Sequence, residues 1–590
     1  MKSRIISISL VVVLALSVGL IGCGGEGVPE VTEYTLTISS AEGGSVTGPG
    51  EGTFAYDEVT VVNLVAEPDE GYQFVNWSGD VATIGNVNAA TTIITTNGDY
   101  EITANFEETP TIIFAVAGPM TVVQGKHHWW GAEMARDEIN AGPGVNVGGV
   151  YHKIELVRVD TNESSGTPDE GVIALEAVID DVDFVVGGFR TEVVNVYREV
   201  AMDAQKIFMN CGAATNALQF SVVTNYDKYK YWFKVTPYND TFIVNASHKI
   251  TKTIGTVLRQ TLAEYGDAVA LDYMVPEDGK LRIAILMEDA EWCAGLVRAA
   301  QAYLPNLGFA IVGTWLVSPT ATDITTELTQ LAAAKPHIIF TAFSGSVSHV
   351  YSVQKYNLGI PAMTMGINIL GEEKEHWENT EGRCNGEILL DIWAEGLQYT
   401  AKTTAFFNAF MTKTGEYPIY TSGTYDAIYS LKEAIETVSA ARGWDDIGDV
   451  IVPANIDALI QYLETSSYTG AAGTIAYYPM PAIDLGGGLY ALSEAQVRAL
   501  YPSLATYDQN QWLCGYVFGV PRPHIAHDLV YGPRYQTGIG SQWQDGHKVG
   551  VWPIDFGDAS NAALTDQYGC WNFEYPGTVD VMIPIEGFLA

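Results

Sequence analysis

An α/β fold with parallel sheets, preceded by a small all-β module, is predicted by three observations. Residues 111–218 alternate apolar strand-like runs with helix-like runs, and the same alternation resumes at residue 281. Residues 34–107 instead alternate apolar and polar positions with period two, broken by glycine and asparagine turns. Repeated strand and helix build a parallel sheet, whereas period-two runs between tight turns build antiparallel β structure. At 590 residues the chain is also too long for a single core.

The elements follow in order. Ile112–Ala117 is an apolar strand, Gly118-Pro119-Met120-Thr121 a loop, and the helix after it ends over Ala135–Asn140. A strand at Ile154–Val159 precedes a helix over about Asp169–Ile179. The strand Phe184–Val186 opens into Gly187-Gly188-Phe189-Arg190-Thr191, and Ile207–Asn210 leads to Gly212-Ala213-Ala214-Thr215-Asn216. Loops rich in Gly, Thr and Ala thus fall at the carboxyl ends of strands, where parallel sheets bind ligands. Farther on, the strand Leu281–Met287 leads through Glu288–Trp292 to a helix over Cys293–Leu304, and the next strand is Ala310–Trp315. Asp323 is placed to cap a helix over Ile324–Ala334, which Lys335-Pro336 ends. His337–Phe340 then runs into a loop over Thr341–Ser346. Residues 480–545, rich in Gly, Pro and Tyr, have no assignment, and 266–280 reads as a smaller insertion.

In the N-terminal module the predicted strands are centred on Tyr34–Ile38, Val59–Ala66, Tyr72–Trp77 and Tyr100–Phe106. Turns lie at Gly43-Gly44, Gly48-Pro49-Gly50, Asp69-Glu70-Gly71 and Asn97-Gly98-Asp99. The Gly71-Tyr72-x-Phe74-x-x-Trp77 core and the closing Ile102-Thr103-Ala104-Asn105-Phe106 resemble the bacterial InlB-type B-repeat. That resemblance implies an appendage, here a spacer ahead of the linker 108–110.

Charge narrows the partners. The formal net charge is −40, and between Arg4 and Lys126 there is neither Lys nor Arg. Fifteen Asp or Glu fall within residues 26–108, so the chain cannot neutralise phosphates, which excludes nucleic acid and anionic membrane surfaces as partners. Charged residues at 17% and hydrophobic ones at 47% are a globular composition.

Lys2 and Arg4, the apolar run Ile5–Val18 and the sequence Leu20-Ile21-Gly22-Cys23 form an N-terminal export signal over residues 1–22. The run is too short for a comfortable transmembrane helix. A Cys directly after a small residue here resembles the bacterial lipobox, which implies acylation of Cys23, a lipid anchor at the outer face of the cytoplasmic membrane, and a linker over 23–33. Cys211, Cys293, Cys384, Cys514 and Cys570 are odd in number and match no zinc spacing. Cys211, ending an apolar strand, reads as a small buried hydrophobe.

The order of segments from residue 111 resembles the type I periplasmic binding proteins, in particular the leucine/isoleucine/valine-binding family of ABC importers. The Gly-x-x-x-Thr pattern ending at Thr191, the stretch Ala213-Ala214-Thr215-Asn216 and Tyr425-Asp426-Ala427 carry it. It implies a bilobal domain over 111–590, with lobe 1 at about 111–236 plus 418–475 and lobe 2 from about 237. His547–Pro553 and Tyr575-Pro576 resemble the final strand and tail. By the same resemblance Thr191, Ala213 and Thr215 supply hydroxyl and main-chain contacts to a ligand carboxylate, and Gln124 stands where relatives carry Tyr. Trp292 takes the place of a stacking Tyr, Phe343 lies near another aromatic, and Asn368 stands where amino-acid binders carry an acid. Without that acid a buried α-ammonium is costly, which turns the expectation toward a carboxylate or amide with an apolar body. Arg190 is placed to pair bidentately with a carboxylate.

No nucleophile elbow, phosphate loop or zinc-protease pair is present. His524 and His527 lie beside Pro521 and Pro523, which oppose a helix, and the adjacent His127 and His128 point in different directions. No enzymatic activity, cofactor or metal is expected. The resemblance implies a solute-binding lipoprotein that delivers a small ligand to two permease subunits. A ligand-sensing receptor or surface adhesin on the same fold is the alternative.

Overall fold

The computed structural model describes residues 32–69, 71–163, 168–236, 238, 240–398, 400–478, 483–486, 489–491, 516–517, 520–521, 529, 539–552 and 580–589. They split into two compact units between Thr109 and Pro110. Cys23, Cys514, Cys570, His524, His527, Tyr575-Pro576 and most of 480–545 lie outside the described residues.

The first unit is all β: β1 (Glu33–Ser40), β2 (Gly44–Gly48), β3 (Gly52–Asp57), β4 (Thr60–Pro68), β5 (Tyr72–Gly79), β6 (Thr91–Thr96) and β7 (Tyr100–Glu108). One sheet has the order β3-β1-β7-β5 and the other β2-β4-β6. Alternation sends Leu36, Ile38, Leu64, Trp77, Ile94 and Ile102 inward as one buried core. The glycine-rich stretch 43–50, expected as turns alone, contains β2. Val59, expected in a strand, instead sits in the turn before β4 with φ +64°.

The second unit opens with β8 (Thr111–Gly118), α1 (Val123–Ala141), β9 (Val145–Val147), β10 (Val150–Asp160), α2 (Pro168–Glu176), β11 (Phe184–Gly187), α3 (Thr191–Asp203), β12 (Phe208–Asn210), α4 (Asn216–Thr224), α5 (Tyr226–Tyr229) and β13 (Trp232–Lys234). Their sheet runs β13-β12-β11-β8-β10-β9, parallel except where β9 meets β10. Central strands covered on both faces are apolar throughout, hence the unbroken burial of Phe184–Gly187.

The chain then enters lobe 2 with α6 (Asp240–Tyr265), β14 (Leu281–Glu288), α7 (Glu291–Tyr303), β15 (Phe309–Val317), α8 (Thr325–Ala333), β16 (Ile338–Phe343), α9 (Val347–Asn357), β17 (Met363–Asn368), α10 (Glu375–Asn379) and β18 (Ile388–Asp391). The parallel order is β15-β14-β16-β17-β18, to which Ile539–Gln544 and His547–Trp552 add antiparallel. Two local expectations are corrected. β16 runs on to Phe343, because Thr341, Ala342 and Phe343 pair with Gly366, Ile367 and Asn368. α8 starts at Thr325, whose N–H donates to Oδ1 of Asp323 at 2.9 Å, so Asp323 stands one residue ahead of the cap position.

After β18, α11 (Thr403–Thr414) and α12 (Thr424–Arg442) return to lobe 1. Phe410 of α11 packs on His127 and Trp130 of α1, and the Thr424 hydroxyl donates to the His128 carbonyl at 2.7 Å. The chain thus crosses between the lobes after β13, after β18 and again before Ile539–Gln544, and strand-end loops of both sheets line one cleft.

Candidate functional site

Backbone geometry places the lobe 1 loops. Gly187 has φ +116°, and a Cβ there would stand 2.1 Å from the Ala117 carbonyl oxygen. At Gly212 a Cβ would meet the Gly188 carbonyl at the same distance. Only glycine lets these strand ends pass so closely. Glu163 then ties the Phe189–Thr191 loop from behind. Its buried carboxylate accepts the Arg190 N–H, the Thr161 hydroxyl at 2.7 Å and the Tyr197 hydroxyl at 3.1 Å. Burial outweighs these bonds and pushes the Glu163 carboxyl up to about 7.

Lobe 2 uses the same device. Glu288, at the end of β14, accepts the N–H groups of Ser344 and Gly345, both at 2.6 Å, and the Ser344 hydroxyl at 2.8 Å. It also accepts the indole N–H of Trp292 at 3.3 Å. One carboxylate thereby fixes the loop after β16 and the first turn of α7.

Between the two lobes lies a partly open cavity of about 50 Å³. Thr191 and Ala214 line it from lobe 1, Trp292, Ile367 and Ile369 from lobe 2, and Tyr238 and Tyr420 lie where the lobes join. It continues into an outer cleft of about 490 Å³ that shares Phe189, Arg190 and Ser344.

Of the residues expected at the site, Arg190, Thr191 and Trp292 line the cavity, and Gln124 lines the outer cleft. Thr191 Oγ1 accepts the Ala214 N–H at 3.3 Å, which leaves its own hydroxyl hydrogen free to donate. Arg190 holds Glu192 through Nε at 2.8 Å, so its guanidinium is already partly neutralised.

Four residues are placed differently from expectation. Phe343 is fully buried on the opposite face of the sheet, against Tyr351 with ring centroids 5.2 Å apart. Strand alternation sends neighbouring side chains to opposite faces, and Ser344 is the one that reaches the cavity. Ala213 spends its N–H on Asn210 Oδ1 and its carbonyl on Asn210 Nδ2, both at 3.0 Å, and does not line the cavity. Thr215 stands at the N-cap of α4 without capping it, its buried hydroxyl unpaired. Asn368 turns away from the cavity, Oδ1 accepting the Gly371 N–H at 3.0 Å, while its neighbours Ile367 and Ile369 face inward.

Residues that sequence reasoning missed complete the site. Tyr238 stacks on Tyr420, and Glu372 accepts the Tyr238 hydroxyl and the Tyr420 N–H. Burial and the nearby Asp391 raise the Glu372 carboxyl well above the usual range. Asp391 itself pairs with the buried Lys548 at 2.7 Å. A strand-end glutamate after an apolar run was a readable signal for Glu288. Tyr238 and Tyr420 carry no local motif.

His127 and His128 are buried and held neutral, burial lowering them to about 3 and about 4. His128 Nδ1 lies 2.8 Å from the Thr421 carbonyl and Nε2 3.2 Å from the Gly188 carbonyl, and the neutral ring donates its one N–H to one of them, tying α1 to the cleft loops. Among the described residues no group of three or more His, Cys, Asp or Glu is arranged to hold a metal ion. No helix among them is long and apolar enough to cross a membrane. Cys211, Cys293 and Cys384 are buried free thiols.

The periplasmic binding protein family pattern matches residues 112–480, and the divergent InlB B-repeat domain pattern matches 34–110. Among solved structures the chain is similar to a candidate branched-chain amino acid ABC transporter from Silicibacter pomeroyi, at 19% identity. That match covers 79% of this chain and 99% of that one, with a TM-score of 0.51. It is also similar to the solute binding protein of an ABC transporter from R. palustris, solved with benzoate, at 14% identity over 75% of this chain and 95% of that one, with a TM-score of 0.50. At these identities the likeness establishes the fold. No curated protein matches the chain.

Proposed function

This chain belongs to the periplasmic binding protein family, and we propose that it captures a small carboxylate or amide with an apolar or aromatic body for a membrane permease. One observation carries this reading. The free donor of Thr191 on lobe 1 and the indole of Trp292 on lobe 2 line the same cavity, with Tyr238 and Tyr420 where the lobes join. Hydroxyl and main-chain groups suit a carboxylate or amide, and aromatic faces bury much area at low entropy cost. The R. palustris relative, solved with benzoate, holds a ligand of this kind.

Capture works by differential affinity. A ligand that touches Thr191 and Trp292 together binds the closed arrangement better and shifts the equilibrium toward it. The closed form then docks on two permease subunits, with ATP hydrolysed by separate cytoplasmic components, and no reaction occurs on this chain. Acylated Cys23 anchors the protein outside the cytoplasmic membrane, and the β-repeat serves as a spacer. Mass spectrometry of protein purified without denaturation tests the reading. A bound small carboxylate or amide, with Thr191→Ala weakening it about 5- to 150-fold, is the expected result. Turnover of the bound compound by pure protein would overturn it.

A further inference from the structure

The outer cleft contains an unmatched pair of polar groups. Gln124, at the start of α1, is 4% exposed and lines this cleft, and its side-chain amide forms no hydrogen bond among the described residues. Glu373, just before α10, lines the same cleft, with Oε1 buried and unpaired. Buried polar groups are normally satisfied, and a carboxylate without donors or a cation is the more costly case. Glu288 shares this wall, but its four donors already occupy it. Arg190, the cation lining the cleft, is held by Glu192.

We propose that Glu373 and Gln124 form a cation subsite that takes an ammonium group carried by the ligand at a distance from its carboxylate. The proposal rests on the cleft being the ligand site. An α-amino acid does not fit the same description, because its ammonium would follow the carboxylate into the inner cavity. There Asn368 is turned away, and the lining carboxylate, Glu192, belongs to Arg190. One carboxylate and one amide oxygen suit an ammonium, which takes up to three acceptors, and no group of three His, Cys, Asp or Glu stands ready for a metal ion among the described residues. Gln124 accepts one ammonium hydrogen through its carbonyl, and Glu373 supplies the counter-charge.

The surroundings of Glu373 agree. Burial, and after it the negative charges of Glu416 and Glu375, push its carboxyl up to about 8 against the opposing pull of Lys548 and Lys126. In the empty cleft it therefore holds a proton at neutral pH. An arriving ammonium displaces that proton to the buffer, leaving carboxylate and ammonium paired.

Calorimetry at pH 7 with 4-(aminomethyl)benzoate and 4-methylbenzoate, in two buffers of different ionisation enthalpy, tests this. The amine is expected to bind at least about tenfold more tightly and to release close to one proton. Glu373→Gln, which replaces a neutral, protonated carboxyl by an isosteric amide and should not harm folding, is expected to bring the two probes within about twofold and abolish proton release. Gln124→Ala should reduce the preference in part. Equal or tighter binding of 4-methylbenzoate to the parent protein overturns the subsite and leaves the solute-binding reading standing. A preference that survives Glu373→Gln also overturns it. Binding of neither probe at millimolar concentration overturns this proposal together with the aromatic-carboxylate reading of the cleft.

Discussion

Tyr238 and Tyr420 stack with ring centroids 4.5 Å apart and an interplanar angle of 35°, at the place where the two lobes meet. Tyr238 follows β13 as the chain leaves lobe 1, and Tyr420 precedes α12 after the chain has come back. The cavity therefore rests on the segments about which lobe closure turns. On the proposed reading, a ligand in this cavity would sit against these rings and act directly on the hinge.

The Tyr238 hydroxyl stands 3.0 Å from Oε1 of Glu372 and 2.9 Å from the Leu390 carbonyl, all buried. Tyr238→Phe removes the one hydroxyl hydrogen these two acceptors share and is expected to cost about 1–3 kcal/mol of stability. Urea denaturation measures it. A variant as stable as the parent would show that the hinge network does not depend on this bond.

Phe343 and Trp292 separate packing from binding. Phe343→Ala removes a fully buried ring from the lobe 2 core and is expected to cost about 3–5 kcal/mol of stability. Trp292→Ala removes a half-buried ring from the cavity wall, so it is expected to raise the ligand off-rate with a smaller loss of stability. Thermal unfolding and stopped-flow dissociation read the two effects. The reverse assignment would mean that Phe343 faces the ligand after all.

Glu163 makes stability depend on pH. Its carboxyl rises from 4.5 to about 7 on folding, so between those values the native state holds a proton that the unfolded chain has lost. Its contribution is full below about pH 4.5 and is lost as pH rises to about 7, by up to roughly 3 kcal/mol. Glu163→Gln cannot ionise. Between pH 5 and 8 the parent should lose stability relative to this variant, as denaturant midpoints would show. A constant difference across that range would rule the linkage out.

Cys23 is the proposed point of anchorage. If acyl chains on Cys23 supply the attachment, Cys23→Ala is expected to release the protein from membranes or stall its maturation. Fractionation of cells that produce the variant decides this. A firmly membrane-bound variant would contradict acylation at Cys23.

The sequence by itself determined the two units, their element order and the loops at the strand ends. Periodicity is local, and strand runs such as Ile112–Ala117 or alternating ones such as Tyr34–Ile38 reveal themselves within a few residues. The resemblance to the binding-protein family also pointed to Thr191 and Trp292, and both line the cavity. Side-chain direction at those ends was a different matter. β16 runs to Phe343, beyond its expected end at Phe340, and its pairing with β17 decides which face each residue takes. Ala213 was diverted by Asn210, a hydrogen-bonding competition that local pattern does not record. The contributions of Tyr238, Tyr420 and Glu373 were decided only by tertiary structure. They come from segments far apart in the chain, and their roles arise from contacts that exist only once both sheets are folded and the lobes are joined.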